Sequence, residues 1–198
     1  MLERIGSKQG RNHIQLLPWA RGYLMLQKKP NTILFSTTRS EKREKMFKWV
    51  GPIVKNRLSL YALKNRKIKI NTPDALKNYK IATYFNDAGE QILIEKYDIK
   101  LEDLHRSGKQ LDGLRRVAGG RNDLFVGSEV TLVTLCQKGG FDRDDFERVF
   151  DLSVNDINYA FHRDTSDSVI RKFQKAFDDI RAEGKLDDIK RNYGRIPH

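Results

Sequence analysis

At 198 residues, with 38% hydrophobic and 32% charged, the chain holds enough apolar material for one large domain or two small lobes with a core. No run approaches the roughly 18 consecutive apolar residues of a membrane span. A net charge of +12 raises nucleic acid as a partner, but the 38 Lys and Arg are interleaved with 26 acids and read as solvated surface, so none is expected.

Met1 to Lys8 reads as the tail of a helix. It lacks the basic start, apolar core and small-residue cleavage site of a signal peptide, so none is expected within the chain. His13–Leu17 reads as a short strand, and Pro18 opens a helix in which Leu24 and Met25 face inward. Thr32–Phe35 is β-branched or large and apolar, as a buried strand inside a parallel sheet requires. Ser36, Thr37 and Thr38 then place donors at its carboxyl end. Ser40 is a good N-cap and Glu41 suits the positive end of a new helix. Arg39 and Arg43 therefore flank a place where open α/β sheets bind ligands, and a guanidinium grips a carboxylate at two points. A surface turn with solvated arginines fits the same spacing.

Gly51-Pro52 reads as a stop, and Leu58 to Ile70 as an extended stretch with a basic turn at 64–67. Thr72–Leu76 is a short helical turn. A fresh α/β pattern starts near residue 79: a strand to Tyr84, a turn at Asn86–Gly89 and a helix from Glu90 to Tyr97. Ser107 caps a helix closed by Gly119-Gly120, Asp123–Val126 is a strand, and Ser128 caps a helix closed by Gly139-Gly140. Phe146–Leu152 and Ile157–Phe161 read as two extended segments. Val169, Ile170, Phe173, Ala176, Phe177 and Ile180 form one stripe of a long helix, which Gly184 ends. Strands alternating with helices predict α/β with largely parallel sheets. The lone Cys136 reads as a small buried hydrophobe. His13, His105, His162 and His198 lack metal-ligand spacing. No Gly-rich phosphate loop or nucleophile elbow occurs, so neither metal nor cofactor is expected.

Pro18-Trp19-Ala20-Arg21, Thr38 to Arg43, Trp49 to Pro52, Gly120-Arg121-Asn122-Asp123 and Glu183-Gly184-Lys185 … Ile189 … Tyr193 occur in an order that resembles the type 3 bacterial extracellular solute-binding proteins. These are periplasmic receptors for polar amino acids in ABC transporters. The resemblance implies a two-lobe, type II periplasmic-binding-protein-like α/β fold with two hinge crossovers. Lobe one would be 1–57 with 158–198 and lobe two 58–157, with hinges near 55–62 and 155–160. It implies a binding protein without catalysis, closing on a small carboxylate-bearing solute and then presented to a membrane permease, with a periplasmic location.

In that resemblance Arg43 takes the ligand carboxylate, with Ser36 and Thr38 beside it. Trp19 packs on the ligand or serves as a core tryptophan, and Arg21 and Arg39 add positive charge at the rim or are solvated. In lobe two, Asn86-Asp87-Ala88 replaces the usual Gly-Ser/Thr-Thr turn. Asp87 contacts ligand there or acts as a plain N-cap with Glu90. Ser128, followed by Glu129, stands where an amino-acid receptor has the Asp for the ligand ammonium, so a carboxylate without an α-amino group fits as well. A cyclic-acid dehydratase using Glu129 or Asp87, and a ligand-sensing module of a signalling receptor, are the alternatives on this fold. Members also begin with a strand lying between those read here at His13–Leu17 and Ile33–Phe35. The resemblance thus implies an N-terminally truncated lobe one whose flanking strands pair directly, a strand supplied by a partner chain (a strand-swapped dimer in place of a monomer), or a reading frame starting upstream.

Overall fold

The computed structural model describes residues 14–193. The helix expected over Met1 to Lys8, and His13 and His198, lie outside them. In order the elements are α1 (Trp19–Lys28), β1 (Ile33–Arg39), α2 (Glu41–Glu44), β2 (Lys48–Leu63), β3 (Ile81–Tyr84), α3 (Ala88–Tyr97) and β4 (Leu104–Ser107). They continue with α4 (Gln110–Ala118), β5 (Leu124–Gly127), α5 (Glu129–Gly139), β6 (Phe146–Phe161), α6 (Asp167–Ala182) and α7 (Lys185–Tyr193). The described strands form one mixed six-stranded sheet in the order β1-β6-β2-β5-β3-β4.

The chain divides into two compact units. Unit 2 comprises Pro18–Ala20 and Asn56–Asn155; of the described residues, unit 1 comprises 14–17, Arg21–Lys55 and 156–193. The backbone passes from one unit to the other inside β2 and again inside β6.

Unit 2 is built on strands buried on both faces. β3 runs parallel to β4 and to β5, while β2 pairs antiparallel with β5 through Ser59↔Gly127, Leu60↔Val126 and Tyr61↔Phe125. Because strand side chains alternate, Leu58, Leu60, Ala62, Ile81, Leu124 and Val126 share one cluster with Leu93 of α3. Tyr61, Ala82 and Phe125 share the opposite one with Leu114 of α4 and Leu132 of α5. Cys136 is buried in that second cluster, and burial first of all pushes its thiol up. In unit 1, β1 pairs antiparallel with β6, and α6 lays Phe173 and Phe177 against Phe161, Val50 and Tyr159. The Phe161 and Phe173 rings meet edge to face at 4.9 Å.

Several expectations are corrected. Residues 14–17 form no strand; Leu16 is 101% exposed, and an isolated stretch this short has no ladder to hold it. It therefore does not pair with β1. That strand is not central and parallel but the edge of the described sheet, antiparallel to β6, with Phe35 42% exposed. It also runs on through Ser36 to Arg39, with an irregularity between Leu34 and Thr37 where Ser36 takes φ 53°. The helix expected from Ser40 is only α2, four residues long. On α1 the buried positions are Gly22, Tyr23 and Leu26, while Leu24 is exposed.

Gly51-Pro52 does not stop the chain. It lies inside β2, where the Gln174 carboxamide of α6 substitutes for a strand neighbour: Gly51 N donates to Oε1 at 3.1 Å and Nε2 donates to Gly51 O at 3.3 Å. Ser107 caps no helix. It ends β4, a strand that the sequence hides because three of its four residues, His105, Arg106 and Ser107, are polar. The two extended segments at 146–152 and 157–161 are one strand, β6. The sheet is mixed, not largely parallel, because β1 and β6, and β2 and β5, run antiparallel.

Candidate functional site

Arg43 of α2 is 0% exposed. Its guanidinium lies 4.8 Å over the Tyr23 ring, and Nη1 donates to Thr38 O at 3.4 Å. Aromatic packing holds that ring in turn: Tyr23 meets Phe47 edge to face at 5.6 Å, and Phe47 meets Trp49 at 5.8 Å. Thr37 and Thr38 are buried at the end of β1, whereas Ser36 is exposed. Arg39 forks onto Glu44, with Nε donating at 2.6 Å, and stacks 5.7 Å from the Trp49 centroid. The hydrogen bond from Arg39 holds the Glu44 carboxyl below the usual carboxylate range. Arg21 is exposed on α1.

Trp19 groups with unit 2. Its backbone N–H donates to Tyr84 Oη at 2.9 Å, and the indole Nε1–H donates to Asn86 O at 3.0 Å. The acceptors lie at the end of β3 and in the β3–α3 connection. In that connection Asp87 is the N-cap of α3, with Oδ1 accepting from Glu90 N at 2.8 Å, and Ala88 is buried behind it.

The residue that fixes this turn was not singled out by sequence. Glu90 is 2% exposed and accepts four hydrogen bonds: from Asn86 N, Thr83 Oγ1, and Arg106 Nε and Nη2 at 2.8 to 3.0 Å. Burial by itself would push its carboxyl up, but the Arg106 fork, the Asn86 N–H and the Thr83 hydroxyl outweigh it and hold it below the usual range. Arg106 also lies 4.7 Å over the Phe85 ring. The available signal was Asp87 with Glu90 three residues on, which spells a capping box; that the carboxylate also binds an arginine sixteen residues away is a tertiary fact.

Ser128 is the N-cap of α5, accepting from Thr131 N at 3.2 Å. Glu129 Oε1 accepts from Arg143 Nε at 2.7 Å, and Oε2 accepts from the Tyr61 hydroxyl at 3.1 Å. Burial, then the Glu129 charge, pushes the Tyr61 phenol up to about 12. Asp123 accepts from Lys80 N and from Arg66, both at 2.9 Å, and so ties strand ends together. Among the described residues no group of three His, Cys, Asp or Glu side chains is placed to hold a metal ion, and no helix is long and apolar enough to cross a membrane.

No protein-family model matches the chain, and no curated protein sequence does. Solved structures do. The substrate-binding protein of an amino acid ABC transporter superposes with a TM-score of 0.77 at 15% identity, covering 96% of this chain and 84% of its own. The fold is that of a periplasmic binding protein. The same fold relates it to the arginine-, lysine-, histidine-binding protein ArtJ from Geobacillus stearothermophilus, with a TM-score of 0.77 at 12% identity over 99% of this chain and 83% of that one. A histidine kinase sensor domain with similarity to periplasmic binding proteins matches with a TM-score of 0.77 at 18% identity, over 90% and 76% of the two chains. In this periplasmic-binding-protein fold, unit 1 carries Arg43, Thr38, Ser36, Arg39 and Arg21, and unit 2 carries Trp19, Asp87, Ala88, Ser128 and Glu129.

Proposed function

We propose that the chain is a receptor for a small carboxylate-bearing solute, an amino acid or a relative of one, and that Arg43 anchors the carboxylate. The observation that carries this reading is a fully buried guanidinium just past the carboxyl end of β1. A carboxylate accepting two parallel N–H bonds matches a guanidinium better than any neutral acceptor. Thr38 and Ser36 stand beside it, with Arg39 and Arg21 as further positive charge and Trp19 as the aromatic contact. Asp87, Ala88, Ser128 and Glu129 complete the proposed contacts. Of these, Asp87 and Ser128 offer the solute only what their capping bonds leave over. The reading is one of binding without turnover, outside the cytoplasm, with delivery to a membrane permease; likeness to the substrate-binding protein of an ABC transporter supports it.

The test is a thermal-shift screen of amino acids, polyamines and small carboxylates, followed by calorimetry on the best hit. Arg43→Ala should remove at least tenfold in affinity, about 1.4 kcal/mol. Binding retained within about threefold, ~0.7 kcal/mol, would overturn the anchor assignment. A sensing domain is the second reading, favoured by the likeness to a histidine kinase sensor domain. It keeps the same anchor and differs in what receives the bound form. A permease gene beside this one would support transport, and a kinase gene sensing.

A further inference from the structure

Unit 2 holds a second concentration of guanidiniums, at the opposite ends of its parallel strands from the β3–α3 turn. The last turn of α4 carries Arg115 and Arg116, and the chain then reverses through Gly119 and Gly120 into β5. Gly120 takes φ 69°, a conformation a side chain would strain. With that reversal Gly119 N donates to Arg115 O, and Arg121 N and Asn122 N both donate to Arg116 O, at 2.8 to 3.1 Å. The turn thereby folds Arg121 back beside the arginines it follows. Arg115, Arg116, Arg121 and Asp112 line a cavity of about 270 Å3.

Three arginines and one carboxylate line it, and the carboxylate is weakly engaged, with Arg115 Nη1 at 3.4 Å from Asp112. Arg116 is oriented in advance: its Nε donates to Asn122 Oδ1 at 2.8 Å, and Asn122, only 2% exposed, is held by His105 Nδ1 at 2.7 Å. That bond fixes the end of the Arg116 side chain at the turn. Asp123, one residue beyond Asn122, is already paired with Arg66 at 2.9 Å.

A helix C-terminus accounts for one or two basic side chains through its dipole. It does not account for a third, returned by a left-handed glycine to the rim of the same cavity. Several forked donors around a small volume match an anion with three or more acceptor oxygens. A carboxylate would satisfy only one of the three forks. We propose that this cavity binds a phosphoryl group, separately from the solute site assigned to Arg43 and independently of that assignment.

The experiment titrates the full chain with inorganic phosphate and follows the arginine Nε–H signals by NMR. Shifts confined to the signals of Arg115, Arg116 and Arg121 are expected, and Arg115→Gln/Arg121→Gln should weaken binding at least tenfold. Lys172→Gln, on α6 in the other unit, should leave it unchanged. In parallel, vesicles of phosphatidylglycerol are compared with vesicles of phosphatidylcholine. Sedimentation with the anionic vesicles alone, lost in the double variant, would identify a lipid headgroup as the source. Phosphate binding without sedimentation would identify a soluble phosphoryl compound. If the double variant binds phosphate and vesicles within twofold of the parent, or neither probe binds the parent, the proposal fails. Both variants replace exposed side chains, and their thermal midpoints check that the fold survives.

Discussion

Glu90 spends both carboxylate oxygens on Arg106, Thr83 and Asn86, and so locks the turn that receives the two N–H groups of Trp19. Removing one partner of a buried ion pair strands the other. Glu90→Gln should therefore lower unfolding free energy by about 3 kcal/mol, read as a shift in urea midpoint at constant slope. An unmoved midpoint would mean the pair contributes nothing. Tyr61 gives a second residue-scale prediction. Its phenol is pushed up to about 12, so the folded state keeps that proton more tightly than the unfolded chain. The contribution is whole below about pH 10 and is lost as pH rises toward 12. In a difference titration at the phenolate absorption band, Tyr61→Phe should remove the latest step and leave the others in place.

At the scale of elements, α6 and β4 show opposite cases of legibility. Of the stripe, Phe173, Ala176 and Phe177 are buried as the 3.6-residue period dictates, whereas Val169 in the first turn is 37% exposed. Phe177→Ala should cost about 3–5 kcal/mol, checked by chemical denaturation. β4 shows no such pattern. Leu104 alone is apolar and buried, and the strand persists because it pairs in parallel with β3 and because Arg106 and His105 find partners on α3 and in the turn before β5. No local rule encodes partners that arrive from elsewhere in the chain. α3 separates two roles for one residue. Asp87→Ala should cost about 1 kcal/mol by losing the cap, while Asp87→Asn keeps the capping oxygen. If Asn at 87 retains stability but loses solute affinity, the residue contacts solute; if it retains both, Asp87 is a cap alone.

For the whole molecule, acid sensitivity follows from carboxylates held below their usual range. Glu90 is one. Asp151 is another: burial pushes it up, but the Ser59 hydroxyl and Arg57 outweigh that; in Asp167 the Lys48 hydrogen bond lowers it. The folded state binds fewer protons than the unfolded chain through this range, so stability is present above about pH 4 and is lost as pH falls through the folded values. Protonating acids on a chain already at +12 adds self-repulsion. The urea midpoint should therefore drop between neutrality and about pH 3, and added salt should recover part of the loss by screening. A midpoint independent of pH would contradict both points.

By itself the sequence determined the α/β alternation, the centre of the α6 stripe, the caps at Asp87 and Ser128, and the helix ends at Gly119-Gly120 and Gly139-Gly140. These are short-range matters, settled by side-chain period and by which backbone angles a residue tolerates. Only the tertiary structure decided that β1 is an antiparallel edge of the described sheet, that β2 and β6 run unbroken through Gly51-Pro52 and through residues 153–156, and that Glu90 meets Arg106. Strand order and buried ion pairs depend on which distant segments meet, and that choice minimises unpaired backbone and charge over the entire chain.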